Sequence, residues 1–276
     1  MSGLLSPVTT HAQPKTPTSG EPLQATPTGQ PTALERENWR KAILATPRPR
    51  KGCFTAAYPE RQWREEPCKT PPTVPYLPRR GGISRRDVVG GSGPDFAATV
   101  TGHISQAEGL FESATVSSVC SVACPGGVCP TNPTCGSGDP NAYSLQLNTE
   151  NFPTSTCAGS PNPGCKGWQQ FVYDSASGSG VIQYWLIEYG PAGTMCPMPR
   201  GHHCQPNGVS TDGWCPFQFT STGPVYCVVN ASQAANGSPE PITSLAQLDV
   251  NGAAAGVNGP TDSITVTIGG TPHMAP

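Results

Sequence analysis

The sequence predicts an all-β, disulfide-stapled sandwich behind a basic, proline-rich N-terminal extension. Three observations point there. First, twelve cysteines, an even and high count, stand in a chain of which only 12% of residues are charged, against about 25% in ordinary soluble domains. That usage indicates disulfides made in an oxidising compartment. Second, past residue 95 helix formers are scarce. Trp, Tyr and β-branched residues gather there in short runs separated by turn signals, the spacing of a β-sandwich. Third, charge is divided along the chain. Fourteen Lys and Arg stand against seven Asp and Glu before residue 95, a net +7; two stand against eleven after it, a net −9. A basic extension ahead of an acidic body suggests docking in cis, in the manner of a pro-segment. A solvated basic tail has the same composition. The boundary is drawn between residues 94 and 95.

Residues 1–32 are rich in Pro, Thr, Ser and Gln and read as a linker. Residues 33–45 read as a short helix, with Thr32 and Glu35 spaced as a capping box and Leu34, Trp39 and Ile43 as its apolar stripe. An extended, proline-rich stretch follows, in which Cys53 and Cys68 flank a loop that a local disulfide would close. Arg79-Arg80 and Arg85-Arg86 then lie in a Gly-rich linker, where processing proteases act on exposed basic pairs.

In the body, residues 96–104 alternate as a half-buried strand, and residues 113–140 form a loop stapled by four cysteines. Tyr143, Leu145 and Leu147 alternate with Ser144, Gln146 and Asn148 as a second strand. Residues 168–174 and 181–189, separated by SASGSG, form a hairpin whose second arm is the most apolar and hence central. Residues 191–229 read as another stapled loop; LAQLDV and SITVTI close the chain as strands. Local pairing is expected for Cys53–Cys68, Cys157–Cys165, and Cys204–Cys215 nested inside Cys196–Cys227, with Cys120, Cys124, Cys129 and Cys135 pairing among themselves. Asn230-Ala-Ser232 and Asn236-Gly-Ser238 fit glycosylation sequons.

Two clusters carry candidate chemistry. Glu188 ends the apolar strand near Gln146, Gln169, Gln170 and Gln183. A carboxyl desolvated in such a run favours its protonated form and suits acid catalysis, and a neighbouring amide orients water or stabilises an oxyanion. At the strand's end the same residue equally reads as solvent-exposed. Trp168, Tyr173, Tyr184 and Trp185 read either as an aromatic face for sugars or peptide prolines, with Asn141 and Asn148 as polar partners, or as core. His202-His203-Cys204 has zinc-ligand residue types but no second pair at finger spacing, so neither metal nor cofactor is expected. No G-x-S-x-G, phosphate-binding loop or apolar run of membrane-spanning length occurs. Nucleic acid and membrane are therefore not expected partners.

GWQQFVYD, then IQYWLIEYG, then DSITVTI resemble the strand order of the secreted glutamic peptidases, the eqolisins, which are similar in architecture to neprosin-like peptidases. The resemblance covers roughly residues 96–190 and 262–268. It implies a concanavalin-like jelly roll, an acid pH optimum, a basic pro-segment and a Gln/Glu or paired-Glu site. On that reading Glu188 is the acid/base and Gln169 or Gln170 the water-orienting or oxyanion group. The expectation is a secreted, monomeric, acid-active hydrolase, with a non-catalytic module binding peptide or polysaccharide, or an inactive truncated relative, as the alternatives.

Overall fold

The computed structural model describes residues 31–48, 51–76, 101, 103–111, 119–120, 135–136, 143–197, 204, 208–255 and 260–276. Helix α1 spans Ala33–Leu44. The strands are β1 (Cys53–Thr55), β2 (Arg64–Glu66), β3 (Gln106–Leu110), β4 (Val119–Cys120), β5 (Cys135–Gly136), β6 (Ser144–Asn148), β7 (Lys166–Asp174), β8 (Ser179–Gly190), β9 (Cys215–Phe217), β10 (Val225–Asn230), β11 (Leu248–Ala253), β12 (Ser263–Ile268) and β13 (Thr271–Ala275). One antiparallel sheet has the order β2-β1-β13-β12-β11-β3, a second β6-β7-β8-β10-β9, and β4 pairs with β5 alone.

The two large sheets face each other through alternate residues. Phe171 and Tyr173 of β7 and Ile182 of β8 pack against Leu248, Val250, Ile264 and Val266 of the opposing sheet. Tyr143, Leu145 and Leu147 close one side, as their alternation predicts. Gly180 sits where the layers come closest; a Cβ there would lie 2.5 Å from Val266 Cγ2, so a side chain would force the sheets apart. Strand β8 is central in its sheet, as its apolarity predicts. All four of the local disulfides expected at Cys53–Cys68, Cys157–Cys165, Cys196–Cys227 and Cys204–Cys215 are present. The side chains of the other four cysteines lie outside the described residues, as do Arg79-Arg80, Arg85-Arg86 and most of the loop around residues 113–140. No described helix is long and apolar enough to cross a membrane.

Several elements differ from expectation. Residues 103–105 are not strand; β3 begins at Gln106, and residues 96–100 are outside the described set. The 191–229 segment is stapled but also supplies β9 and β10. Residues 245–247 belong to a 3-10 helix (Ile242–Gln247), so β11 starts at Leu248. SITVTI does not close the chain: β13 follows through Gly269-Gly270, both at positive φ, despite Pro272 within it. In α1 the buried stripe is Trp39, Ile43 and Leu44, while Leu34 is 69% exposed.

Ala33–Pro276 form one compact unit, in which the described part of the extension packs on the body, while the boundary at residues 94 and 95 lies outside the described residues. Strand β1 pairs with β13, Phe54 opposite Met274, and β2 adds outside it. Helix α1 covers the outer face of the six-stranded sheet. Buried Arg40 pairs with Glu37 on its own helix, with Glu108 on β3, and at 3.7 Å with Asp249 on β11. Arg48 donates to Ser263 on β12. Basic charge in the extension thus meets acidic charge in the body at named pairs.

Candidate functional site

Strands β7 and β8 run in register, Gln169 opposite Tyr184 and Gln170 opposite Gln183. A period of two therefore sends Trp168, Gln170, Gln183 and Trp185 to the outer face, away from the opposing sheet. Gln146 on β6 and Asn230 on β10 extend this row, so amides from four strands lie side by side. Gln170 Nε2 donates to Gln146 Oε1 at 2.9 Å. Trp185 Nε1 is shared between Gln170 Oε1 at 2.9 Å and Gln183 Oε1 at 3.0 Å. Gln183 Nε2 donates to Asn230 Oδ1 at 2.7 Å. Gln170 and Gln183 are fully buried, and a buried amide without partners would cost stability, so the row is cooperative by necessity.

The extension covers Gln183 and Asn230 of the row, while Gln146 stays exposed. Residues 69–76, KTPPTVPY, form a strap over them that bends at Thr73 and Val74. Lys69 pairs with Ala234 through both main-chain groups, N to O at 3.0 Å and O from N at 3.1 Å. Lys69 Nζ donates to Ser177 O and Gly237 O, each at 2.6 Å, and reaches Gly178 O at 3.5 Å. Burial lowers this ammonium's pKa, and the carboxylates of Asp174 and Glu66 pull it back up. Asn230 Nδ2 donates to Pro72 O at 2.7 Å, and the Val209 main-chain N to Thr73 O at 2.9 Å. Gln183 Nε2 reaches Val74 O at 3.4 Å, and Gln183 Oε1 accepts from Tyr76 N at 2.8 Å. The Tyr76 ring packs on Val172, Val181 and Ala234.

The residues proposed from sequence are not all brought together. Glu188 is exposed, at φ 51°, in a bulge where β8 takes four residues to match two of β10. Its carbonyl accepts from Asn162 Nδ2. Gln169 lies opposite Tyr184, four residues along β8 from Glu188, more than about 10 Å at strand rise. Gln170 points to the other face. Gln169 instead meets a carboxylate the sequence reading did not consider: its Nε2 donates to Asp262 Oδ2 at 2.9 Å, and Tyr184 OH donates to the same oxygen at 3.1 Å. Asp262 Oδ1 accepts from Ala255 N. Burial, then the nearby Asp262 charge, pushes the Tyr184 phenol well above its ordinary pKa.

The aromatic face dissolves into core. Trp168 is 2% exposed, Trp185 and Tyr173 are fully buried, and Tyr184 is half-buried. They also split between layers, Trp168 and Trp185 outward under Val209, Phe217 and Tyr226, Tyr173 and Tyr184 inward. Cys204 is bonded to Cys215, which removes it as a zinc ligand, while His202 and His203 lie outside the described residues. Asn230 is 3% exposed with its amide nitrogen engaged by Pro72 O, so a glycan at that sequon is incompatible with this packing. The signal for the amide row was present in sequence, as Gln146, Gln170 and Gln183 all fall on outward positions. The strap left none, because an extended proline segment has no periodicity. No family model, curated protein or solved structure matches the chain.

Proposed function

We propose that the protein is a secreted precursor whose mature role is to hold a peptide segment on the outer face of the five-stranded sheet. Disulfides throughout the described body support secretion. At finer grain the two layers are read as a concanavalin-like jelly roll. The observation that carries the function is the strap: side-chain amides of the sheet grip main-chain atoms of the proline segment. Main-chain atoms are common to all peptides, so such a face recognises peptide as a class. The buried tryptophans offer no ring for stacking on sugars, which favours peptide over polysaccharide. No described disulfide joins the extension to the body, since Cys53–Cys68 lies wholly within the extension. A cut at the arginine pairs beyond Tyr76 therefore leaves a non-covalent complex that can exchange. The test is retention of an unstructured protein and of soluble polysaccharides by the wild-type chain and by Tyr76→Ala. The reading expects peptide retention only when the strap is loosened; retention of polysaccharide alone would reject it.

A second reading, acid hydrolysis, is favoured by one contact set. Asp262 with Gln169 and Tyr184 provides a carboxyl, a carboxamide and a phenol within hydrogen-bond reach of one another. On this reading Asp262, rather than Glu188, is the acid paired with Gln169. Cleavage of an unstructured protein at about pH 3 to 4 should then vanish in Asp262→Asn and persist in Glu188→Gln.

A further inference from the structure

Resting on the peptide-binding reading above, we infer that the ligand class of this face is a basic, proline-rich segment ending in an aromatic residue, supplied by a partner protein in the place that residues 69–76 now occupy. The occupant's own pattern of contacts argues it. Across the strap the sheet side supplies three donors to three successive carbonyls, those of Pro72, Thr73 and Val74. Among the described residues, the main-chain N–H within residues 71–76 that it accepts is that of Tyr76. Residues 71, 72 and 75 are prolines, which have no N–H to satisfy. Pro71 is buried, so an ordinary residue there would place a donor against a surface that now serves a pyrrolidine ring. A face that reads carbonyls in a row and asks for few N–H groups is matched to proline, whose fixed φ also lowers the ordering cost of the ligand.

The two ends set polarity. At the N-terminal end three carbonyls, Ser177, Gly178 and Gly237, converge on the Lys69 ammonium, a cage that an aliphatic side chain would leave desolvated and unpaired. At the C-terminal end Val172, Val181 and Ala234 form an apolar seat for a ring. Between Lys69 and Tyr76 three residues, Pro72, Thr73 and Val74, are held by their main-chain carbonyls, and the bent strap brings both ends to Ala234, by the Lys69 main chain and the Tyr76 ring. A lysine and a ring fixed on either side of those carbonyls select one register, and the acidic balance of the body favours a basic partner.

The experiment uses the full chain with the strap loosened by Tyr76→Ala, and separately by Pro72→Gly, so that a folding failure in one leaves the other. Hydrogen exchange at residues 69–76 reports whether the strap has opened. A labelled peptide with the sequence KTPPTVPY is titrated by fluorescence anisotropy. We expect binding at least about ten-fold tighter to either variant than to wild type. Replacing the three prolines by alanine, or the lysine by methionine, should each weaken it about ten-fold, and adding Asn230→Asp, which turns the Pro72 donor into an acceptor, should do the same. Equal affinity for the alanine peptide would overturn the proline class while leaving a peptide groove in place. No binding of any peptide to an open strap would overturn both that class and the function on which it rests. Dimers formed by strap exchange would assign the face to a second copy and overturn the partner.

Discussion

Besides the β1–β13 ladder, the extension is fastened to the body along two seams that work by different physics. Over the six-stranded sheet, α1 is held by charge: Arg40 against Glu37, Glu108 and Asp249. Each seam leaves buried polar atoms without a hydrogen-bond partner among the described residues, Arg48 Nε and Nη2 and Thr265 Oγ1 in this one and the Tyr76 hydroxyl in the other. Over the five-stranded sheet the strap is held mainly by neutral main-chain hydrogen bonds to side-chain amides. The charged seam depends on which residues sit where, and salt and acid weaken it. The amide seam depends on peptide geometry and is largely indifferent to ionic strength. One fastening engages charged side chains; the other engages main-chain atoms.

Four measurements break or sharpen that contrast. Trp185→Ala removes the pillar under the amide row and leaves Gln170 and Gln183 each short of a donor. Urea unfolding should show a loss of about 3–5 kcal/mol, with exchange at residues 69–76 rising before that at 33–44. Arg40→Ala strikes the other seam and leaves Glu108 and Asp249 facing each other under the helix. It should cost about 2–3 kcal/mol, less than for a fully buried pair because both acids are partly exposed. Its signature is that added salt no longer affects protection of α1. If salt loosens the strap as much as the helix in wild type, the contrast fails. Lys69→Met should cost about 1–2 kcal/mol by emptying the carbonyl cage, read as faster exchange at residues 69–76 alone.

The smallest effect is acid. Hydrogen bonding from Arg40 holds the Glu37 carboxyl below its ordinary value of 4.5. A depressed folded-state pKa means the stabilisation is present above that ordinary value and lost as pH falls through the folded one. The advantage of wild type over Glu37→Gln in α1 protection, about 0.3 kcal/mol after solvent screening, should therefore fade between about pH 5 and pH 3.

The layered β architecture was legible where side chains alternate or helix formers cluster. β6, β7, β8 and β12 follow their apolar patterns, and the short helix ends within a residue of its expected limit. Strands β9, β10 and β13 were hidden for identifiable reasons. Cysteines and prolines in CPF and TPHMA read as loop, and VYCVVN is nearly continuous apolar, without a period. Half the candidate site was visible, because the glutamines fall at outward positions of a recognisable hairpin. The other half was not. Asp262 reaches Gln169 from 93 residues away, and the strap reaches Gln183 from more than a hundred. Of the two readings of Glu188, desolvated or exposed, the structure has the exposed one, at the bulge near the end of β8.

The Cys53–Cys68 bond ties the extension to itself and to nothing else described. A segment severed after Tyr76 therefore keeps one internal cross-link when it leaves β13. That cross-link limits the conformations open to the detached chain. Its return to the sheet then has less ordering to recover and a balance set by dilution. Wherever the severed protein accumulates, its own leader competes for the face in proportion to how much of both is present. Reduction removes the cross-link from that competitor, and with it those that brace the face around Val209.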